Sequence, residues 1–138
     1  MLESFGIPGI RGIWCHYTGS GGLFNVVSIE QMYSGHARQV GVIASQYPAE
    51  MGAYTVVVEE DIDPSNLDEV LWAMVTRSRF ERDIHMIPDC HTNNVHPAIP
   101  PDEKRSTDKP KLITAARVVI DACRDLSWKD DWYPISRM

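Results

Sequence analysis

Cysteine is scarce in this 138-residue chain: Cys15, Cys90 and Cys123 are odd in number and widely spaced. That excludes the disulfide framework that staples small secreted domains. No Cys-x-x-Cys pair exists to start a zinc ribbon or a redox motif. Basic residues are also short, 13 against 19 acidic, for a net charge of −6. A surface that displaces counterions from phosphates needs the opposite balance, which argues against a general nucleic-acid binder. Long apolar runs are missing. The longest, near Ala53–Val58, is broken by Thr55, whereas a membrane-spanning helix needs about 20 apolar residues. Glycine and proline, nine each, are at ordinary usage, which excludes collagen and low-complexity disorder. There is no internal repeat. The opening Met1-Leu2-Glu3-Ser4-Phe5 lacks the basic start and apolar run of a secretory signal. The expectation is reduced thiols in a cytoplasmic protein.

What remains is one domain's worth of alternating elements. Ile10–Tyr17 reads as a strand, and Leu23–Ile29 as a second, joined by the glycine-rich Gly19-Ser20-Gly21-Gly22 as an antiparallel pair. Ser34 is placed to cap a helix running to Tyr47, with Ala37, Val40, Gly41, Ala44 and Tyr47 on one face and Pro48 ending it. Ala53–Val58 has the nearly all-apolar pattern of a central strand. Asp63 as N-cap and Pro64 as first residue predict a helix with Leu67, Val70, Leu71 and Met74 at i, i+3, i+4 and i+7. Arg77 and Arg79 near its end suit the helix dipole. Ile84–Ile87 is a short strand. Residues 88–110, with five prolines, read as a long loop, and Ala115–Ile120 as a last strand. Trp128, Trp132 and Tyr133 make an aromatic tail over 124–138. The fold class is therefore α/β: a single domain, 1–138, with a mixed β-sheet flanked by helices and one long Pro-rich loop.

Motifs for chemistry are few. The dipeptides Cys15-His16 and Cys90-His91 carry zinc-type ligands. Neighbours on a strand point to opposite faces, though, so a pair of this kind does not share a metal easily. Glu59-Glu60-Asp61-Ile62-Asp63 misses the calcium-loop template, with Asn66 at the glycine position and Trp72 at the glutamate position. It reads as a solvated strand-to-helix turn. The glycine loop lacks phosphate-loop spacing, and no Ser-His-Asp set stands out. Cys90–Pro97 holds two histidines and two asparagines between prolines. Two readings stand for it: a polar wall that orients an acidic or phenolic ligand, or an exposed polar loop.

A resemblance narrows the choice. Gly6-Ile7-Pro8-Gly9-Ile10-Arg11-Gly12-Ile13-Trp14-Cys15-His16, Leu23–Ile29 and Gly35-His36-Ala37-Arg38-Gln39 resemble the C-terminal domain of UbiD-type decarboxylases. So do Asp61-Ile62-Asp63-Pro64, Asp68–Met74, Thr76-Arg77 and Val119-Ile120-Asp121-Ala122. The order is preserved over nearly the whole chain. The resemblance implies a non-oxidative carboxy-lyase for aromatic or α,β-unsaturated acids. It also implies prenylated FMN with a divalent metal, and potassium in some members, bound by parts of the enzyme outside this chain. The catalytic Glu-Arg-Glu set of the family has no counterpart here. Catalytic, cofactor-binding and metal-ligating residues are accordingly expected to be absent from this chain, which would be inactive alone. Its role would be to line the substrate cleft, pack on the flavin-binding domain and join oligomer contacts. By position, Asn94, Val95 and His96, with Glu50 and Met51 as a second wall, match substrate-contacting positions. His91 and His96 hint at a hydroxylated aromatic acid. The alternative is a separately encoded small subunit or binding module that docks onto a catalytic UbiD-like chain.

Overall fold

The computed structural model describes residues 2–19, 22–46, 52–92, 97–104 and 113–128. Five strands form one sheet: β1 (Ile10–Cys15), β2 (Phe24–Ile29), β3 (Tyr54–Glu59), β4 (Ile84–His91) and β5 (Thr114–Asp121). Four helices join them: α1 (His36–Ser45), α2 (Leu67–Arg77), and the single turns α3 (Phe80–Asp83) and α4 (Pro101–Lys104). The strand order is β1-β2-β3-β5-β4. The inner three run parallel and the two edges antiparallel. This is the expected mixed sheet flanked by helices.

The apolar run of β3 is central because both its faces are covered. On one face Val27, Ile29 and Val57 pack against Ala37 and Val40 of α1. On the other, Val26, Val56, Val58 and Ile120 pack against Ile62 and against Val70 and Ala73 of α2. Alternate residues of each strand thus feed alternate cores. Helix α1 lies very close to the sheet. A Cβ at Gly41 would stand 2.2 Å from Val119 Cγ1 and 3.1 Å from Val57 Cγ2. Gly9, with φ of 80°, is held for a related reason: a Cβ there would meet the Glu30 carbonyl at 2.7 Å. No helix among the described residues is long and apolar enough to cross a membrane.

Several boundaries differ from the sequence reading, each for a local reason. β1 stops at Cys15, and Tyr17–Gly19 forms a 3-10 turn. Ser34 does not cap α1; Gly35 does so in the left-handed region, without a side-chain bond. Tyr47 and Pro48 lie outside the described residues. α2 starts three residues after Pro64, because Asp63 is spent on a tight turn. Its Oδ1 accepts from the Ser65 amide at 2.9 Å and the Ser65 hydroxyl at 2.7 Å. The cap is Asn66, which accepts from the Glu69 amide at 3.3 Å. The buried stripe of α2 is Val70, Ala73 and Arg77, while Leu71 is 44% exposed. Arg79 falls beyond the helix end.

β4 runs past Pro88 to His91, so the loop expected over 88–110 begins later and contains α4. Proline survives there because β4 is an edge strand, where a missing N–H need not break a ladder bond. The register shifts between Ile87 and Cys90, and Asp89 takes a φ of 56°. In the expected aromatic tail, Trp128 is 44% exposed, and Trp132 and Tyr133 lie outside the described residues.

Candidate functional site

Of the six expected cleft residues, the structure places one. His91 ends β4 and is exposed. Glu50, Met51, Asn94, Val95 and His96 lie outside the described residues. The chain that flanks both segments is described, however, and it converges. Gln46, just after α1, directs its amide Nε2 to the Cys90 thiol of β4 at 3.7 Å. Buried Arg117 of β5 donates through Nη1 to the Ser45 carbonyl and through Nη2 to the His91 carbonyl at 2.6 Å. Beyond the first gap, the Gly52 amide donates to the Gly22 carbonyl at 2.9 Å. Beyond the strand end, the Thr92 amide donates to the Ile113 carbonyl at 2.9 Å. The described residues that flank the two segments therefore lie together at one end of the sheet, where β3 and β5 begin.

An apolar hollow of about 430 Å³ lies near this edge, lined by Leu23, Phe24, Tyr54, Leu67, Leu71 and Pro97 among others. Phe24 and Tyr54 stand 6.2 Å apart, ring centre to ring centre. Leu71, expected in the core, contributes here instead.

The opposite edge carries a polar cavity of about 330 Å³ that the sequence did not reveal. Its charges are largely paired. Arg82 bonds Asp83 and, at 2.9 Å, Asp125. Arg124 gives both its amide and its Nε to Glu59, which also accepts from Gln31. Asp121 accepts from the Cys123 amide at 2.9 Å. Burial pushes its carboxyl up to about 6. Burial likewise pushes the Cys123 thiol up, so that cysteine is structural.

The acidic run expected as a solvated turn is more committed than that. Glu59 is buried, Glu60 bonds Arg11, Asp61 bonds Arg77, and Asp63 holds Ser65. The two Cys-His dipeptides sit at the ends of opposite edge strands, with His16 just beyond β1, four strand spacings or about 19 Å apart. His16 turns its ring nitrogen to the Pro64 carbonyl at 2.8 Å. Among the described residues no three His, Cys, Asp or Glu side chains group around a metal-sized site.

Among the described residues, the apolar cavity is lined by no cationic side chain that could meet a phosphate. The polar one is lined by Arg38 as well as by Arg82 and Arg124, which bond Asp125 and Glu59.

Comparison with known proteins supplies the frame. The family model of the 3-octaprenyl-4-hydroxybenzoate carboxy-lyase C-terminal domain matches residues 1–122. A phenolic acid decarboxylase of Streptomyces sp. (strain D7) is 33% identical over 96 residues, 68% of this chain and 20% of that protein. A phenolic acid decarboxylase of Bacillus subtilis (strain 168) is 40% identical over 70 residues, 49% of this chain and 15% of that protein. The UbiD-class enzyme HmfF from Pelotomaculum thermopropionicum, solved with FMN, superposes with a TM-score of 0.80 at 23% identity. It covers 99% of this chain, which covers 28% of it. At that identity the likeness concerns the fold. The chain thus spans about a fifth of the Streptomyces relative and little more than a quarter of the solved enzyme.

Proposed function

The chain belongs to the 3-octaprenyl-4-hydroxybenzoate carboxy-lyase C-terminal domain family, and on that footing we propose that it is the C-terminal portion of a UbiD-type decarboxylase. The observation that carries this is the family match over 1–122. The substrates are aromatic or α,β-unsaturated carboxylic acids, with hydroxylated aromatic acids first among them, as the names of the phenolic acid decarboxylases suggest.

In this reading the domain supplies a wall of the cleft. In sequence, Glu50 and Met51 follow the end of α1; His91 ends β4, and Asn94, Val95 and His96 come after it. The convergence of Gln46 with Cys90 supports putting the two groups on one side. Imidazole and amide groups there orient the acid through hydrogen bonds to its ring hydroxyl, and the apolar members hold the ring. Prenylated FMN, with its divalent metal and potassium, belongs to the remainder of the enzyme and supplies the electron sink for loss of carbon dioxide. The remainder packs against this domain, either on the same chain or as a separate subunit, in a homo-oligomeric enzyme.

The test is a decarboxylation assay with 4-hydroxybenzoate, 3,4-dihydroxybenzoate, vanillate and a cinnamate. The chain is assayed alone and together with the flavin-binding part. The expected result is carbon dioxide release only when both are present. Turnover by the chain alone overturns the reading.

A further inference from the structure

The two edges of the sheet differ. β4 is guarded against further pairing: Pro88 interrupts its donors, the register shifts between Ile87 and Cys90, and Asp89 takes a φ of 56°. β1, the other edge, has no proline and no lysine. Its one charge, Arg11, is bonded to Glu30 and Glu60 of its own domain. Ile13 and Trp14 point to opposite faces and remain 47% and 50% exposed. An apolar, unguarded edge is a template for another strand.

The ladder to β2 fixes which groups of β1 are free. His16, one residue past the strand, donates its amide to the Phe24 carbonyl at 3.0 Å. Bonded positions alternate in an antiparallel pair. Trp14, opposite Val26, and Gly12, opposite Ser28, therefore turn their main-chain groups to β2. Ile13 and Cys15 turn theirs outward. Arg11 lies in the irregular step between Ile10 and Gly12, outside the regular ladder.

The outward groups complement themselves. When two β1 strands run antiparallel about a two-fold axis, Ile13 of each stands opposite Cys15 of the other, and each pair exchanges both N–H···O bonds. Trp14 then faces its own copy at the close, non-bonded position, on the face that carries Val26 and α2. Aromatic cross-strand pairs of this kind are favourable. No charged side chain meets its like along this line, which matters in a chain of net charge −6.

We infer that β1 is the docking surface for a second copy of this chain, which continues the sheet by antiparallel β1–β1 pairing with the two Trp14 side chains beside the two-fold axis. This gives the homo-oligomer of the reading above a surface, and it does not depend on which acid the enzyme takes. Two strands of this length cover less than the roughly 1,200 Å² at the lower end of stable interfaces. Pairing through β1 alone therefore gives a concentration-dependent dimer.

The experiment combines sedimentation with an engineered cross-link in the parent protein. Cys15 is exposed, and Ile13→Cys sets a second thiol opposite Cys15 of the other copy, within disulfide reach. The two Cys15 residues themselves would stand about 8 Å apart, too far to join. Oxidation with diamide is expected to convert Ile13→Cys, and not the parent, to a covalent dimer. Ile13→Pro removes an outward N–H and leaves the ladder to β2 intact. It is expected to raise the dimer dissociation constant about tenfold or more. Trp14→Glu, which sets two carboxylates face to face, serves if the proline variant does not fold. A strand from another part of the assembly on β1, or contact between copies elsewhere, gives no covalent dimer and overturns the pairing. A parent with one copy of the chain per particle at the highest concentration also overturns it. In an assembly held by further contacts, the cross-link alone decides. It is read by mass, so the pairing and the decarboxylase reading fail separately.

Discussion

Arg77 grips Asp61 with both arms of its guanidinium, Nη1 to Oδ1 at 3.0 Å and Nη2 to Oδ2 at 2.7 Å. The pair ties the turn after β3 to the last residue of α2. Its two halves differ. The Arg77 side chain has no exposure, and its guanidinium lies 5.2 Å from the Trp72 ring centre. Asp61 keeps 40% of its side chain exposed. The hydrogen bond from Arg77 holds its carboxyl below the usual range. Both residues belong to the sequence runs that carry the family resemblance, and the geometry gives those runs a structural reason.

The asymmetry makes a prediction. Removing Asp61 takes both arms of its carboxylate from a fully buried guanidinium, whereas removing Arg77 leaves a carboxylate that can turn to water. Asp61→Ala should cost about 3 kcal/mol, the range for a broken buried pair, and Arg77→Met clearly less. The double variant should recover part of the Asp61→Ala loss. Urea unfolding of the three variants checks the order. Equal losses would mean that both groups are equally desolvated.

Gly41→Ala should be destabilising despite the better helix propensity of alanine, worth about 1 kcal/mol. The added carbon would lie 2.2 Å from Val119 Cγ1, so α1 must lift from the sheet, at a typical cost of about 1–3 kcal/mol. Val119→Ala in the same chain should restore part of the loss, since it removes the obstructing methyl. Thermal unfolding of the single and double variants reads this.

The start of α2 can be tested by two substitutions. Asn66→Ala should cost about 1 kcal/mol, the usual worth of an N-cap. Asp63→Ala should leave the helix start in place, because its side chain closes the preceding turn on Ser65. Chemical-shift changes confined to 63–65 for the second, and spreading into 67–70 for the first, are the expected pattern.

Asp121 predicts a pH dependence. Burial raises its carboxyl to about 6 from an ordinary 3.8. The folded state therefore holds a proton that the unfolded state releases between those values. The sign follows: the contribution is fully present below pH 4 and is lost as pH rises through about 6. A two-unit shift corresponds to about 3 kcal/mol at most. Asp121→Asn, which keeps the acceptor for the Cys123 amide, should gain stability relative to the parent as pH rises from 4 to 7. A constant difference across that range would show that Asp121 titrates normally in the fold.

Much of the fold was legible because it rests on short-range patterns. The nearly all-apolar Ala53–Val58 fits a strand covered on both faces, and the α1 stripe of Ala37, Val40 and Gly41 packs as its spacing requires. The errors arose where one side chain had two local uses. Asp63 was as good a cap as Asn66 until Ser65 claimed it. Pro88 read as a break because the sequence does not say which strand is an edge. Contacts between distant residues were not legible at all. Nothing local marks Arg117 as a partner of the Ser45 and His91 carbonyls, or assembles Glu59, Arg124 and Gln31 at the end of β3. Of the candidate cleft residues, the structure places only His91, with the chain ends that carry the others.

The most direct measurement is made on the native assembly that contains this chain, purified from its source through the chain itself. Its mass, its flavin absorbance and its release of carbon dioxide from hydroxylated aromatic acids are recorded together. The expected result is a particle several times heavier than 15.6 kDa that carries a modified flavin and decarboxylates at least one such acid. A flavin-free 15.6 kDa protein with no larger partner would contradict membership in a decarboxylase assembly.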